Sequence, residues 1–98
     1  MEHLIRDLGD KFEAGIAQGV NYWIARVRLN EARDEAKIRT IEYGDGSGIN
    51  EVEHVVNLEM FQNGWLALGY RNLEDHEWDE DHADAALQKA MFGKIIYG

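Results

Sequence analysis

Apolar residues recur at Leu4, Ile5, Leu8, Phe12 and Ile16, with Arg6, Asp7, Asp10, Lys11 and Glu13 between them. Spacings of three and four predict an amphipathic helix of about four turns. Gly19 is expected to end it, because glycine tolerates the left-handed conformation at a helix C-terminus. Gly9 and Gly15 inside it each cost about 1 kcal/mol relative to alanine, which implies either a close neighbour or fraying.

From Tyr22 the period changes to two. Trp23, Ala25, Val27 and Leu29 form a wholly apolar face, and Tyr22, Ile24, Arg26 and Arg28 a face that turns basic at its far end. NEARDEAK is a polar connection, and KIRTIEY is a second strand with Ile38, Thr40 and Glu42 on one face and Arg39, Ile41 and Tyr43 on the other. GDGSGIN is a glycine-rich turn and VEHVV a third strand, completing a three-stranded antiparallel meander. Asn57 suits the N-cap of a helix over LEMFQNGWLALGYR, striped by Leu58, Phe61, Trp65, Leu66 and Leu68 or Gly69. Asp79 or Asp81 caps a last helix through HADAALQKAMF, with Ala83, Leu87, Ala90 and Met91 as its buried stripe and Gly93 as its stop. KIIYG is expected to pair with a sheet edge as a short strand. The fold class is therefore α+β: an N-terminal helix, a three-stranded antiparallel sheet, two C-terminal helices and a short C-terminal strand.

Ninety-eight residues are enough for one domain, spanning 1–98, and one apolar core. A chain this short leaves apolar surface outside that core, which a homodimer is one way to cover. The absence of cysteine removes disulfides and thiolate chemistry and suits a reducing compartment. MEHLIRDLGDKFEAG has no apolar h-region and no run approaches a membrane span, so a soluble protein of the cytoplasm is expected.

Charge then divides the chain. Residues 1–40 balance seven acids with seven bases, whereas residues 41–98 set twelve acids against Arg71, Lys89 and Lys94 and so carry the entire net charge of −9. Such a field repels nucleic acid and anionic membrane and attracts basic proteins. It is densest in LEDHEWDEDHAD, residues 73–84, where Glu74, Asp75, Glu77, Asp79, Glu80, Asp81 and Asp84 surround Trp78.

Three kinds of chemistry are weighed against this pattern. DGSGINEVE resembles half of a calcium loop, but with Gly48 at the invariant glycine only Asp45 and Ser47 fall on ligand positions; Tyr43 and His54 occupy two essential ones, so a hairpin turn is the better reading. His76, Asp79 and His82, with His54 from the sheet, could offer a metal a mixed nitrogen and oxygen shell, but the spacing of six between His76 and His82 matches no helical ligand pair. No metal or cofactor is assigned. The single serine, Ser47, stands outside any nucleophile motif, and no carboxylate pair is singled out for acid–base work, so no enzyme is inferred. What remains is docking onto a basic surface, or mimicry of nucleic acid, through Glu74, Asp75, Glu77, Trp78, Asp79, Glu80, Asp81 and Asp84. Within that set Trp78 is either an anchor that pins the loop or an interface hot spot, and the anchor is the favoured reading.

GVNYW at residues 19–23, after a short amphipathic helix, and ADAALQKAMFGKIIYG at residues 83–98 resemble a group of small uncharacterised phage and prophage proteins. Those proteins carry a glycine-Ile/Val-Asn-Tyr-Trp stretch near the start and end in an alanine-aspartate helix followed by FGxxxYG. The resemblance implies provenance, a phage-encoded accessory protein, and brings no catalytic residues. By analogy with other small acidic phage proteins it points to an antagonist of host defence, of anti-CRISPR or anti-restriction type, acting on a basic surface of a host nucleic-acid-handling complex in the host cytoplasm. The alternative is an oligomeric structural or regulatory phage protein that acts through apolar contacts.

Overall fold

The structure, a computed structural model, describes residues 5–43 and 49–97. Its elements run α1 (Leu8–Val20), β1 (Ile24–Leu29), β2 (Glu35–Tyr43), β3 (Ile49–Asn57), α2 (Leu58–Ala67) and α3 (Glu80–Phe92). The strands form one antiparallel sheet in the order β1-β2-β3, and the helices cover one of its faces. This is the α+β arrangement expected from the sequence. Leu4, the glycine-rich turn with its would-be calcium ligands Asp45 and Ser47, and Gly98 lie outside the described residues.

Leu8, Phe12 and Ile16 stand four apart on α1 and are buried, so the apolar stripe does become the core face. The helix starts at Leu8 because Asp7 takes a left-handed conformation (φ 52°). Ile5 is nevertheless buried, and its backbone N–H donates to Gln62 Oε1 at 3.0 Å. Gly19 is not the left-handed stop expected of it. It lies inside α1, where an added Cβ would sit 2.5 Å from Ile24 Cδ1, so its role is to let β1 pack close.

The strands depart from simple alternation at one place. Ile24 pairs with Thr40 and Arg26 with Arg39, so Ala25 is an extra residue in β1. This bulge shifts the phase by one. Trp23 and Ile24 are both buried and Ala25 is exposed, whereas strict alternation places Ala25 inside and Ile24 outside. On β2, Ala36, Ile38 and Thr40 face inward as expected. Asn30 shortens the preceding connection: its Oδ1 accepts from the N–H groups of Asp34 and Glu35, both at 3.0 Å, so β2 starts at Glu35.

Asn57 caps α2, its Oδ1 accepting from Met60 N–H at 2.8 Å. The helix stops at Ala67, short of Arg71, and Gly69 just beyond it adopts φ 79°. Gly93 ends α3 in the left-handed region, at φ 76°. The buried face of α3 is Ala83, Ala86, Leu87 and Gln88; Ala90 and Met91 are only partly covered.

Residues 94–97 form no strand. They lie along α3, where the fully buried Gln88 takes the place of a sheet edge. Its Oε1 accepts from the N–H groups of Ile96 and Tyr97 at 2.9 and 2.8 Å, and its Nε2 donates to the Tyr97 carbonyl at 3.0 Å. A side-chain amide offers the same donor and acceptor pair as a peptide unit, so these backbone groups are satisfied without pairing to a strand.

α3 fits between α1 and α2 because both neighbours present a glycine to it. A Cβ on Gly15 would lie 2.6 Å from the Ala83 carbonyl oxygen, and one on Gly64 would lie 2.5 Å from that of Ala86. Glycine to alanine in a helix normally stabilises by up to about 1 kcal/mol. At Gly15 and Gly64 the overlap with α3 backbone should reverse the sign and cost about 1–3 kcal/mol. Gly9, with nothing within 4 Å of its would-be Cβ, should show the ordinary gain. Thermal unfolding of Gly9→Ala, Gly15→Ala and Gly64→Ala should therefore move Tm up, down and down, by about 4–8 °C per kcal/mol. A Gly15→Ala protein as stable as the parent would show that the two helices are not in close contact.

Candidate interaction surface

The acidic stretch leaves α2 through a turn whose geometry is set from within. Trp65 Nε1 donates to the Tyr70 carbonyl at 2.9 Å, and the Leu73 N–H donates to the same oxygen at 3.2 Å. Glu77 N–H then donates to the Glu74 carbonyl at 2.9 Å, while the Glu74 N–H donates to Glu77 Oε1 at 3.1 Å. Two reciprocal bonds thus close residues 74–77 into a turn.

Trp78 fastens this turn to the helices. Its ring meets Trp65 edge-on, with centroids 6.0 Å apart, and the Lys11 ammonium stands 5.0 Å from its centre. Lys11 is only 3% exposed and also lies 5.6 Å from the Trp65 ring. Its Nζ donates to the Arg6 carbonyl. Two indole faces and a carbonyl replace the water that this cation loses, so the pair of tryptophans brackets a lysine. Lys11 reads in the sequence as an ordinary polar position on α1; nothing in its spacing marks it as buried.

Asp79 opens α3. Its Oδ1 accepts from the N–H groups of Asp81 and His82 at 3.0 and 3.3 Å, and its own N–H donates to His82 Nδ1 at 3.1 Å. This is a capping box in which histidine takes the place of the usual glutamate. The donated backbone bonds, that of His82 first, hold the Asp79 carboxyl below the usual carboxylate range. The His82 ring also packs edge-on against Tyr70 at 5.0 Å, so its job is local. His54 belongs to the sheet, against Phe92 at 5.1 Å, and His76 is exposed. Among the described residues no three His, Asp or Glu side chains are grouped to hold a metal ion.

Asp84 separates from the rest. It turns toward the core, where its Oδ1 accepts from Trp23 Nε1 and its Oδ2 from Gln88 Nε2 at 3.2 Å. Burial pushes its carboxyl up, against the effect of those two donors. Its carboxylate is therefore engaged by partners within the fold, apart from the other six. Trp78 is half-buried and acts as the anchor expected of it. The residues left facing solvent are Glu74, Asp75, Glu77, Asp79, Glu80 and Asp81, in one ordered ridge.

Trp23 also joins two segments far apart in sequence, residues 19–23 and 83–97. Its indole stacks on Tyr97 with centroids 5.5 Å apart and planes 6° from parallel, and meets Phe92 edge-on at 5.8 Å. Core packing and one hydrogen bond thus account for the tryptophan of GVNYW and for Asp84, Phe92 and Tyr97 of the C-terminal segment.

The chain matches no protein-family model, and no curated protein or solved structure matches it. No helix among the described residues is long and apolar enough to cross a membrane.

The two shifted carboxylates move stability in opposite directions with pH. Asp79, depressed in the fold, contributes fully above the unfolded carboxylate value of about 3.9, and that contribution is lost as pH falls through its lower folded value. Asp84, raised in the fold, favours the folded state when protonated, a contribution present below about 3.9 and lost as pH rises through its folded value. Trp23→Phe removes one donor to Asp84 and should cost about 1–2 kcal/mol at pH 7 in urea unfolding, with a smaller penalty at about pH 3, below the ordinary carboxylate value of about 3.9, where the carboxyl is protonated. An equal penalty at both values would mean that the Trp23 to Asp84 bond is not what the variant loses.

Proposed function

We propose that this chain is a non-enzymatic binding protein of phage origin that inhibits a nucleic-acid-handling host complex by setting its acidic ridge against a basic surface. The observation that carries the reading is the fixed display of Glu74, Asp75, Glu77, Asp79, Glu80 and Asp81 on a turn and a helix cap, pinned by Trp78 against Trp65 and Lys11. Carboxylates on a disordered tail would have to be ordered upon docking; these are already in place.

The charge density suits the role. A nucleic-acid strand carries one negative charge per about 3.4 Å. Six carboxylates within residues 74–81, the last ones at a helical rise of about 1.5 Å per residue, present a comparable density on a rigid frame. A lysine- and arginine-lined groove recognises such a surface mainly through encounter rate and register, so the affinity falls as salt rises.

A specific observation also supports the apolar alternative. Val20, Tyr22, Ile95 and Ile96 are about half exposed, and the contact of Tyr22 with Tyr97, 6.2 Å between ring centres, brings the two segments together. Such a patch would serve an oligomeric structural or regulatory protein.

A five-fold variant, Glu74→Gln, Asp75→Asn, Glu77→Gln, Glu80→Gln and Asp81→Asn, keeps Asp79 and its cap and so should fold normally by circular dichroism. In parallel pull-downs from host lysate at low and high salt, the parent should retain a basic nucleic-acid-handling complex at low salt only, and the variant should retain at least ten-fold less. Equal retention by both proteins would overturn the ridge, and retention indifferent to salt would favour the apolar patch.

A further inference from the structure

We infer that the open face of the sheet is a docking surface for a second copy of this chain, with the cations of β1 and β2 receiving the acidic ridge of that copy. The register sets Arg26 directly opposite Arg39 and Arg28 directly opposite Lys37, all four exposed on the face that the helices leave uncovered. Directly opposed like charges oppose strand pairing, so sheet stability gives no reason for this arrangement. Among the described residues, ion pairs answer two of the four cations. Arg26 pairs with Glu51 at 3.2 Å and Arg39 with Glu53 at 3.5 Å, while Arg28 and Lys37 have no ion-pair partner among the described residues. Together with Val27 and Glu53 the four cations line a shallow depression of about 500 Å³.

The matching surface is on the same molecule and cannot reach it. The ridge is fastened over α1 and α2 through Lys11, Trp65 and Tyr70, in the helical layer, whereas the cations point away from the other side of the sheet. Complementary patches on opposite sides of one chain join between copies, head to tail. A nucleic-acid strand suits the face less well. Its basic part is two cross-strand rows, about 7 Å along the strands, and beyond it come Ile41, Glu51 and Val55. Two or three carboxylates fit such a field; a continuous polyanion would run past it into acid. Docking of this kind would cover the ridge and so compete with any other partner for it, but it stands without the proposed inhibition: loss of one leaves the other measurable.

The net charge of −9 gives the association an unusual salt profile. At about 10 mM salt the screening length is about 30 Å, so each copy feels the whole charge of the other across a body whose shortest extent is 20 Å, and repulsion dominates. At about 100 mM it is about 10 Å, and the facing patches decide. At about 1 M it is about 3 Å and the patches are screened as well. Sedimentation velocity should therefore find association strongest near 100 mM and at least ten-fold weaker at either extreme. Arg28→Glu with Lys37→Glu should abolish it, as should Glu74→Lys with Asp75→Lys, which leave the Glu77 acceptor of the turn in place, each with an unchanged circular dichroism spectrum. Mixing the two variants should restore it, because each then carries the patch that the other lacks. A protein that stays monomeric throughout, a salt-indifferent dimer unaffected by either variant, or variants that fail to associate when mixed would each overturn the inference. So would a monomeric parent that binds single-stranded oligonucleotide through Arg28 and Lys37, which would reassign the face to nucleic acid.

Discussion

The close approach of α3 to its two neighbours is the constraint on which the other features depend. Read for hydrophobicity, EDHADAALQKAMF is the weakest of the three helices, with three acids and a histidine before its first leucine and a lysine after it. It is central all the same, because Gly15 and Gly64 remove the side chains that would hold α1 and α2 away, and Ala83 and Ala86 add little bulk of their own. Backbone then meets backbone, and many small dispersion contacts replace a few large apolar side chains. Once α3 is seated this deeply, its polar side chains on that face must find partners, and they do. Asp84 takes the indole N–H of Trp23, and Gln88 takes the backbone of the last residues. The C-terminal segment and the start of β1 are thus both ordered by a helix whose own sequence looks like surface.

The same placement explains why the acidity sits where it does. A helix N-terminus carries partial positive charge and unpaired N–H groups, so Asp79, Glu80 and Asp81 are favourable in the first turn of α3 in a way they would not be at its end. The cap absorbs part of the like-charge repulsion that so many neighbouring carboxylates would otherwise cause. Trp78 absorbs the rest of the problem mechanically: bracketed with Trp65 around the Lys11 ammonium, it holds the chain down immediately before the cap. Acid display and helix initiation are one local structure, so the ridge is only as well ordered as the α3 cap beneath it.

Much of this was legible in the linear pattern, and the exceptions have physical causes. The helices, the strands, the Asn57 and Asp79 caps and the Gly93 stop follow from local chemistry that acts within a few residues, and they lie close to where the pattern places them, although α2 stops four residues early and β3 starts at Ile49, inside the expected turn. The inward face of β1 was misread only at its start, because one bulged residue, Ala25, shifts the phase so that Ile24 faces inward in its place without any mark in composition, while Val27 and Leu29 pack against the core as the pattern predicts. Gly19 and Gly15 look alike as helix-weakening residues; only the partner helix or strand reveals that each is a point of close approach. KIIYG has strand-like composition, but Gln88 competes for its backbone and wins, a contact between residues eight and nine apart that no periodicity encodes. In the candidate surface the acidic positions were legible and their division was not. Seven carboxylates read as one patch, yet tertiary contacts send Asp84 inward and give Asp79 a second duty.

Net charge conceals the most unusual property of the surface. A value of −9 describes a particle that repels its own kind, and at distances beyond the screening length that description holds. At contact it fails, because the hairpin register gathers Arg26, Arg28, Lys37 and Arg39 onto the open side of the sheet while the ridge gathers carboxylates onto the helical side. Neither grouping could be deduced from the balance of acids and bases along residues 1–40, which sums to zero. The fold converts a chain with a neutral half and an acidic half into a body with a small cluster of cations on its sheet side and a ridge of carboxylates on its helical side. How it meets any partner is governed by which side faces that partner, and by whether the salt concentration leaves the local field or the total charge in control.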